Sequence, residues 1–344
     1  MTGAPDPAPG SGLWLEKQWY RHSAWQLALL PLSALFWLLS ALRRMAFRYG
    51  WLASERLPVP VIVVGNITVG GSGKTPLVLW LAQFLRQQGY RPGIVSRGYG
   101  SESMDASSVD PADDPALRGD EPVLLARKSA CPVWVGRDRV AAGRALLDAN
   151  PGCNVIFSDD GLQHYRLQRD LEIAVVDGRR RFGNGRLLPA GPLREGLWRL
   201  HQVDAVVVNG GAPLDGLAEQ FQMRLNGTEL INLRSGERRA AAVLGASRLH
   251  ALAGIGHPQR FFEHLRGLGL VFSAHVFPDH HAYRPGDLDW PDADALLMTE
   301  KDAVKCAAFA DERYWVLPVT AEVDPLFGAK ILELLGECDG REIA

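Results

Sequence analysis

The sequence predicts an α/β protein with a mostly parallel sheet, a smaller second α/β domain and an apolar helix near its N-terminus. Short apolar runs at 133–135, 154–157, 173–176 and 205–208 predict buried strands. Helical stretches such as 139–147 separate these runs along the chain. Strands that alternate with helices in this way are typical of a parallel sheet that is covered on both faces.

The bulk composition is that of a globular protein with a sizeable core. The chain has 344 residues, of which 47% are hydrophobic and 22% are charged, and this length suits two domains. Its formal net charge is −2, so nothing global indicates nucleic-acid binding, and no protein partner is predicted. The four cysteines form no CxxC pair, which argues against a zinc site or a disulfide framework and favours a reducing compartment.

The first 48 residues divide into a polar start and an apolar segment. Residues 1–12 are rich in Pro and Gly, and we predict that 1–22 are disordered. Residues 23–42 carry no charge over 20 positions, which is enough for a helix to cross a hydrocarbon core of about 30 Å. Pro31 leaves two arrangements open, a kinked spanning helix or a hairpin lying in one leaflet. We therefore predict a membrane-associated helix over 23–48, the alternative being a buried helix of a soluble protein.

The rest of the chain is predicted to form two domains and a connector. The larger domain spans 49–220 and contains all the strands named above. Alternation of polar and apolar residues within 221–239 predicts a two-stranded connector that acts as a hinge. A new series of strands with a helix at 258–268 predicts a smaller α/β domain over 240–344. Residues 102–115 are rich in Ser, Asp and Pro and are predicted to be a mobile loop.

The strongest chemical signal is VVGNITVGGSGKTP, in which a buried strand at 59–64 leads through a glycine-rich turn into a helix at 76–89. Backbone amides in such a turn cradle phosphate oxygens, and the helix N-terminus adds a favourable dipole. Lys74 would neutralise the terminal phosphates of a nucleotide, and the Thr75 hydroxyl would bind Mg²⁺. The pattern departs from GxxxxGK[ST] where Thr68 replaces the first glycine. The predicted nucleotide-binding residues are Thr68, Val69, Gly70, Gly71, Ser72, Gly73, Lys74 and Thr75.

A carboxylate on a neighbouring strand is the second part of such a site, because it helps to hold the metal. The run NVIFSDDGLQH supplies Asp159 and Asp160 directly after an apolar strand. Ligands of open α/β sheets bind at the carboxyl ends of the strands. Either carboxylate is therefore a predicted Mg²⁺ ligand, the alternative being a solvated acidic turn.

Seven sequence blocks occur in an order that resembles one enzyme family. They are VGNITVGGSGKTP, SRGYG, GDEP, DDGLQH, FGNGRLLPAGPLRE, PDHHAY and TEKDAVK. The blocks cover essentially the whole chain, which closely resembles the tetraacyldisaccharide 4′-kinases of lipopolysaccharide synthesis. The resemblance implies a P-loop NTPase-like fold that uses ATP and Mg²⁺ to phosphorylate the 4′-hydroxyl of a tetraacylated glucosamine disaccharide 1-phosphate, giving lipid IVA. It also implies an enzyme bound to lipid at the cytoplasmic face of the inner membrane.

The resemblance also assigns the chemistry to particular residues. It makes Asp120 of GDEP the candidate base that takes the proton of the sugar hydroxyl. Its neighbour Glu121 is a further predicted metal ligand, and Lys74 is predicted to act at the phosphates. Asp120 would pair with a histidine of PDHHAY, since a carboxylate and an imidazole hold each other in a useful geometry. Of the two histidines we favour His281 slightly over His280. Without the resemblance, these two histidines could equally bind a metal or be merely solvated.

Other residues of the blocks are predicted to contact the substrate. Arg194 and Glu195 follow a glycine-rich basic loop and are placed nearest to the chemistry. Further candidate contacts to sugar or phosphate, for which packing and turn formation are the alternative, are Arg97, Tyr99, Gln163 and His164. The block at 299–305 either caps a helix or belongs to the site, and its role stays open.

The candidate base and the two histidines fall in different predicted domains, so the site is expected to form between the domains and to exclude water on closure. Other functions are also considered. A partition-type regulatory ATPase has closely spaced glycines before GKT, but Val69 stands where those proteins have Lys. A soluble small-molecule kinase and a non-enzymatic membrane anchor are further alternatives. The anchor is least favoured, because it would not need all of Lys74, Thr75, Asp159 and Asp120.

Overall fold

The computed structural model of the chain describes residues 18–21, 25–98, 105–244 and 248–339. Within these residues the strands form two sheets, one of nine strands and one of six. This is the predicted α/β architecture with a smaller second sheet. In chain order the strands are β1 (Val61–Gly65), β2 (Pro92–Ser96), β3 (Ser107–Val109), β4 (Val133–Val135), β5 (Val155–Asp159), β6 (Leu171–Asp177), β7 (Ala205–Asn209), β8 (Gln220–Asn226), β9 (Glu229–Asn232), β10 (Arg238–Ala240), β11 (Leu249–Ala253), β12 (Phe272–Val276), β13 (Ala295–Thr299), β14 (Tyr314–Leu317) and β15 (Thr320–Val323).

The helices cover both faces of the larger sheet. Side chains of β1 alternate between two cores, because Ile62 and Val64 pack with one helix layer while Val61 and Val63 pack with the other. A strand that is buried on both faces is expected for a parallel sheet between helices. The α-helices of the described residues are α1 (Trp25–Ala28), α2 (Leu30–Arg48), α3 (Lys74–Gln87), α4 (Pro115–Arg118), α5 (Asp120–Ser129), α6 (Arg139–Ala149), α7 (Pro258–Gly267), α8 (Glu300–Cys306) and α9 (Pro325–Asp339).

The larger sheet has the strand order β15-β8-β7-β6-β1-β5-β2-β4-β3. Its neighbouring strands are parallel except at the two edges, where β15 runs antiparallel to β8 and β3 antiparallel to β4. β1 lies between β5 and β6, and Val63 is in register with Ser158 on one side and Glu172 on the other. The carboxyl ends of β1, β5, β6 and β7 therefore meet at one edge of the sheet, where a ligand site is expected.

The smaller sheet has the order β10-β9-β14-β13-β11-β12, in which β14 to β12 are parallel and β9 and β10 are antiparallel. On one face Phe262 and Leu265 of α7 pack against the sheet. On the other face Ala303 and Cys306 of α8 do so. The two faces give this unit a core of its own.

The chain crosses between the two sheets twice. β8 pairs with β7 in the larger sheet while β9 pairs with β14 in the smaller one, so the first crossing lies at 227–228. The second crossing, at 318–319, returns the chain to the larger sheet, where β15 pairs with β8. The structure thus divides the predicted connector 221–239 between both sheets and assigns the end of the predicted domain 240–344 to the larger unit. Apolar alternation predicts a strand but not its partner, which is set by tertiary packing.

The helix α2 is the apolar segment of the N-terminal region. Its 19 residues are long and apolar enough to cross a membrane, judged by length and composition. Leu35, Trp37 and Leu39 are each more than half exposed. Pro31 lies in the first turn of α2, two residues after the break from α1 at Leu29. In a first turn the missing proline N–H costs no helical hydrogen bond.

Two stretches that were predicted to be irregular contain ordered structure. Of the predicted disordered segment 1–22, the described residues are 18–21, and there Trp19 is buried and its indole N–H donates to the Pro189 carbonyl at 2.9 Å. Of the predicted mobile loop 102–115, the described part contains β3 and the start of α4, where the Asp114 side chain accepts from the Ala116 amide. The polar residues of the described part thus belong to an edge strand and a helix cap.

Candidate active site

The glycine-rich turn between β1 and α3 lies at the carboxyl edge of the larger sheet. Gly70 and Gly73 have φ angles of +98° and +96°, a left-handed conformation that glycine adopts without strain. α3 begins at Lys74, so its first unpaired amides lie at the turn. This strand, turn and helix match the predicted phosphate-binding arrangement.

Thr68 occupies the position at which the motif departs from the standard pattern. It forms an isolated antiparallel bridge with Leu193, and the adjoining Val69 amide donates to the Pro192 carbonyl at 2.9 Å. A bridged, extended backbone accepts any residue, which explains why glycine is not needed here. Thr68 is buried, whereas the loop residues that line the cleft are 69–75.

Lys74, Asp160 and Arg194 converge beside the phosphate loop. Lys74 Nζ lies 3.3 Å from Asp160 Oδ1 and 3.3 Å from Asn66 Oδ1. Arg194 Nη1 lies 3.2 Å from Asp160 Oδ2. Burial raises the pKa of Asp160, but the charges of Lys74 and Arg194 outweigh it and hold this pKa well below its usual range. Asp160 is therefore ionised and orients two cations next to the place where phosphates are expected.

The four predicted metal ligands all belong to the larger unit. Asp159 ends β5 and is fully buried, and its Oδ1 accepts no hydrogen bond from the residues that the structure describes. Burial, and then the nearby Glu121 carboxylate, raise the pKa of Asp159 against the opposing charges of Lys74 and Arg139. Thr75, Glu121 and Asp160 line the cleft. Asp160 contacts Lys74 and Arg194, whereas Asp159 is not among the residues that line the cleft.

Asp120 pairs with His280 across the boundary between the two units. Asp120 begins α5 and is buried, and His280 follows β12 in the smaller unit. His280 Nδ1 lies 3.0 Å from Oδ1 and 3.1 Å from Oδ2 of Asp120. The slight preference for His281 as the partner is not supported, because His281 Nε2 lies 3.2 Å from Asp287 Oδ2 instead. His280 has a φ of +59°, an unusual backbone conformation that sequence patterns do not signal.

Two lysines of the block 299–305, whose role the sequence left open, lie close to the Asp120–His280 pair. Lys301 and Lys305 lie four residues apart on α8, so they project from the same face of the helix. Lys301 Nζ lies 3.1 Å from Glu121, 3.0 Å from Asp279 and 3.9 Å from Asp120 Oδ2. Lys305 Nζ lies 3.9 Å from the same Asp120 oxygen. The spacing of the two lysines was the available signal for a shared role.

The charges around the pair set its protonation. Burial raises the pKa of Asp120, but the hydrogen bond with His280 and the charge of Lys301 outweigh burial, so the pKa is lowered. The hydrogen bond with Asp120 raises the pKa of His280, against the opposing effects of burial and Lys301. At neutral pH Asp120 is therefore a carboxylate, the form that can accept a proton.

These groups face one another across a cleft with a volume of about 580 Å³, within the range of small-molecule sites. The cleft lies between the two units, as expected for a site shared by two domains. The larger unit contributes the phosphate loop with Asp120, Glu121, Asp160 and Arg194, and the smaller unit contributes Gly256, Arg260, His280 and Lys301.

The remaining predicted substrate contacts are spread over two places. Arg97 is exposed and lines the cleft, while Tyr99 lies outside the described residues. Gln163 and Glu195 lie beside α2, where Gln163 Nε2 donates to Glu195 Oε2 at 3.0 Å and Arg44 of α2 lies 3.6 Å from Glu195 Oε1. These contacts join the apolar helix to the loop that carries Arg194.

His164, the histidine among the predicted substrate contacts, has a strongly shifted pKa. Burial lowers its pKa to about 4, so the side chain is neutral at physiological pH. Its Nε2 is buried and has no hydrogen-bond partner among the described residues. A neutral, buried imidazole is suited to a hydrogen bond rather than to charge pairing.

Replacing Asp302 with Ala is expected to lower the free energy of unfolding by about 3–5 kcal/mol. Asp302 is wholly buried and accepts from the Gly254 amide at 3.2 Å, from Tyr283 at 3.1 Å and from Thr299 at 2.6 Å, and Lys305 lies 3.0 Å away. Removing the carboxylate leaves these donors and a buried ammonium group without their acceptor. Chemical denaturation of the wild-type protein and of the Asp302→Ala variant measures the difference in free energy of unfolding.

Asp311→Ala is the matched control for this prediction. Asp311 forms an ion pair with Arg313 at 2.8 Å near the surface, so its loss is expected to cost about 1 kcal/mol or less. Equal destabilisation by the two substitutions would show that the buried network around Asp302 does not stabilise the smaller unit.

A strand, a glycine-rich turn and a Lys-Thr helix start, with a carboxylate on the adjacent strand, define a P-loop nucleotide-binding protein. The family model described as tetraacyldisaccharide-1-P 4′-kinase matches residues 25–336. The chain belongs to this family, as its sequence blocks indicated.

Relatives of known name agree with this assignment. The tetraacyldisaccharide 4′-kinase of Methylobacillus flagellatus is 54% identical over 96% of this chain and 98% of its own length. That of Nitrosococcus oceani is 50% identical over 95% of this chain and 96% of its own length. The crystal structure of LpxK from Aquifex aeolicus in complex with ATP is 30% identical, with a TM-score of 0.77, over 90% of this chain and 99% of that one. The similarity therefore extends over both units.

Proposed function

We propose that this enzyme transfers the γ-phosphate of ATP to the 4′-hydroxyl of a tetraacylated glucosamine disaccharide 1-phosphate. The observation that carries the proposal is the Asp120–His280 pair, which lines the same cleft as the phosphate loop within a kinase family. Phosphoryl transfer needs bound phosphates on one side and a proton acceptor for the attacking hydroxyl on the other. The cleft offers both.

The nucleotide would bind with its phosphates in the loop 69–75. The amides of the loop and of the α3 N-terminus would donate to the phosphate oxygens. Lys74 and Arg194, held in place by Asp160, would neutralise the negative charge that shifts during transfer. ATP is the nucleotide in the complex of the Aquifex aeolicus relative, and it is the nucleotide we assign here.

Mg²⁺ fits the residues on this side of the cleft. The buried Asp159 oxygen without a hydrogen-bond partner among the described residues, and the Thr75 hydroxyl at the start of α3, are hard oxygen donors of the kind that Mg²⁺ prefers. Glu121, which lies by Lys301, would complete the acidic surroundings. When bound, the ion would offset phosphate charge and align the phosphates.

Asp120 would accept the proton of the sugar hydroxyl as this oxygen attacks the γ-phosphorus. The new bond is between the 4′-oxygen and phosphorus, the broken bond links the γ-phosphorus to the bridging oxygen of ATP, and ADP leaves with that oxygen. His280 would hold the Asp120 carboxylate in position and favour its ionised form before the transfer. Lys301 and Lys305 would hold the same carboxylate from α8.

The acylated substrate would reach the cleft from the membrane, with α2 lying in or across the lipid. Its exposed apolar side chains and the arginines at its C-terminal end, Arg43, Arg44 and Arg48, suit an interface with anionic lipid. We assign the enzyme to the inner membrane, with both α/β units on its cytoplasmic face. Arg97, Gln163, His164 and Glu195 are proposed contacts of this substrate.

An assay with γ-labelled ATP and Mg²⁺ tests the proposal. Purified protein in mixed micelles is expected to transfer label to the disaccharide 1-phosphate acceptor, and to release little free phosphate when the acceptor is left out, because closure excludes water. Label released only as inorganic phosphate, at the same rate with and without acceptor, would instead identify a regulatory ATPase. Label transferred only to a water-soluble acceptor would identify a small-molecule kinase.

A further inference from the structure

The phosphate loop is held from outside the cleft by two side chains that the chemistry above does not use. Arg180, in the turn after β6, donates from Nη2 to the Gly71 carbonyl oxygen at 2.7 Å. Asn209, the last residue of β7, donates from Nδ2 to the Ser72 carbonyl oxygen at 2.9 Å. A Cβ atom on Gly73 would overlap the Asn209 amide group, so this close contact depends on the glycine.

Each of these contacts fixes the direction of a loop amide. A peptide unit is planar and trans, so its C=O and the following N–H point in opposite directions. A Gly71 carbonyl that faces Arg180 therefore directs the Ser72 N–H away from Arg180. A Ser72 carbonyl that faces Asn209 directs the Gly73 N–H away from Asn209 in the same manner. Amides fixed before a ligand arrives bind an anion without a further cost of ordering.

The smaller unit completes both contacts. Arg180 Nη1 donates to the Gly256 carbonyl oxygen at 3.1 Å, and Arg260 of α7 donates to Asn209 Oδ1. Gly256 also lies against the loop itself, since a Cβ atom there would be 2.6 Å from the Gly71 nitrogen. The two side chains that hold the phosphate loop are thus themselves held by the unit that closes over it.

Asp177, at the end of β6, anchors this arrangement. Its carboxylate accepts from the Arg180 backbone amide at 3.0 Å, and Arg180 Nε lies 3.3 Å from its other oxygen. His257, which precedes α7, places Nδ1 3.2 Å from the same oxygen. Asp177 therefore connects the smaller unit to the guanidinium group that reaches the phosphate loop.

We propose that Arg180 and Asn209 are positioning residues that aim the Ser72 and Gly73 amides at the nucleotide phosphates, and that the smaller unit completes this alignment through Gly256 and Arg260. The inference rests on the proposed nucleotide binding. Closure then strengthens phosphate binding, and by linkage a bound nucleotide favours closure to the same extent. The phosphate loop is fully formed when the smaller unit lies against it.

The first test compares Arg180→Met with Arg179→Met by calorimetric titration of the whole protein in detergent with a non-hydrolysable ATP analogue and Mg²⁺. Arg179 is the neighbouring residue and forms an exposed ion pair with Glu263, so both substitutions remove one charge from one turn. Arg180→Met is expected to weaken binding by about 10–100-fold, the effect of losing a charge-assisted hydrogen bond. Arg179→Met is expected to change it less than about threefold, and Arg180→Lys should fall between them.

The second test uses Asn209→Asp, which keeps the size of the side chain and the acceptor for Arg260 but removes the donor to Ser72. The KM for ATP is expected to rise about tenfold or more while the KM for the lipid acceptor stays the same. A general loss of structure would change both values and the thermal unfolding midpoint. This variant also decides the matter if Arg180→Met fails to fold.

Two results would overturn the inference: nucleotide affinity of Arg180→Met equal to that of Arg179→Met, or an Asn209→Asp enzyme whose two KM values rise together. A wild-type protein that does not bind the analogue would instead refute the proposed function. Gly256→Ala gives an independent check, because its methyl group would push the smaller unit away from Gly71. It is expected to weaken analogue binding although its own side chain carries no charge or hydrogen-bonding group.

Discussion

Asn in place of Asp120 is expected to lower kcat by about 10²–10⁴-fold, the range for removal of a general base. The amide cannot accept the hydroxyl proton, and it cannot balance the charges of Lys301 and Lys305, which lie 3.9 Å from the carboxylate. Affinity for the nucleotide should change little, because the phosphate loop is untouched. Rates measured at saturating ATP and acceptor, with analogue affinity measured separately, give the two quantities.

A comparison of the two adjacent histidines sharpens this result. His280→Gln removes the hydrogen bond to Asp120 and is expected to reduce kcat by about 10–100-fold. His281→Gln removes the contact with Asp287 and should have a far smaller effect. If the His281 variant were the more damaged enzyme, or if Asp120→Asn kept more than a tenth of wild-type kcat, Asp120 and His280 would not form the proton-accepting pair.

Met in place of Lys74 is expected to reduce kcat/KM for ATP by about 10³-fold or more, by analogy with other single cations that stabilise phosphoryl transfer. Met keeps an unbranched apolar side chain of similar length, so the substitution removes mainly the positive charge that would neutralise the β- and γ-phosphates. Asp160 would retain Arg194 as a close partner. Initial rates over a range of ATP concentrations supply the measurement.

Lys330→Met is the control for loss of a lysine charge. Lys330 lies on α9 and contacts the carboxylates of Glu219 and Glu333 at 3.9 Å and 3.5 Å, away from the cleft residues. Its substitution is expected to leave kcat/KM within about twofold of wild type. A Lys74→Met enzyme that behaved in the same way would remove the basis for assigning the phosphates to the loop 69–75.

The larger sheet was the part of the fold most open to prediction from sequence. Short apolar runs predict strands when helices separate them, and β4, β5, β6 and β7 each overlap a predicted run. The path of the chain after β8 was not predictable in the same way. β15 alternates between exposed and half-buried residues, and β8 has one buried residue, Met223. Neither pattern says that the two strands pair with each other across a stretch of about ninety residues.

The part of the site that could be predicted from sequence is the part formed by one continuous segment. The turn at 69–75 carries its own glycines and its own helix start, so its conformation follows from nearby sequence. Groups that meet only through the fold were not accessible. Nothing in GDEP or TEKDAVK places Lys301 beside Glu121, and nothing in PDHHAY indicates that His280 takes a left-handed backbone conformation.

The two crossings between the sheets have a mechanical consequence. Both are two residues long, at 227–228 and 318–319, and they run side by side, since a Cβ atom on Gly227 would overlap the Pro318 carbonyl. A domain joined by one flexible connection can rotate in any direction. Two short connections that lie side by side restrict the rotation mainly to one axis. A rotation of the smaller unit about this axis would return the PDHHAY segment to the same side of α5, so the geometry of the Asp120–His280 pair would be restored without a separate guide.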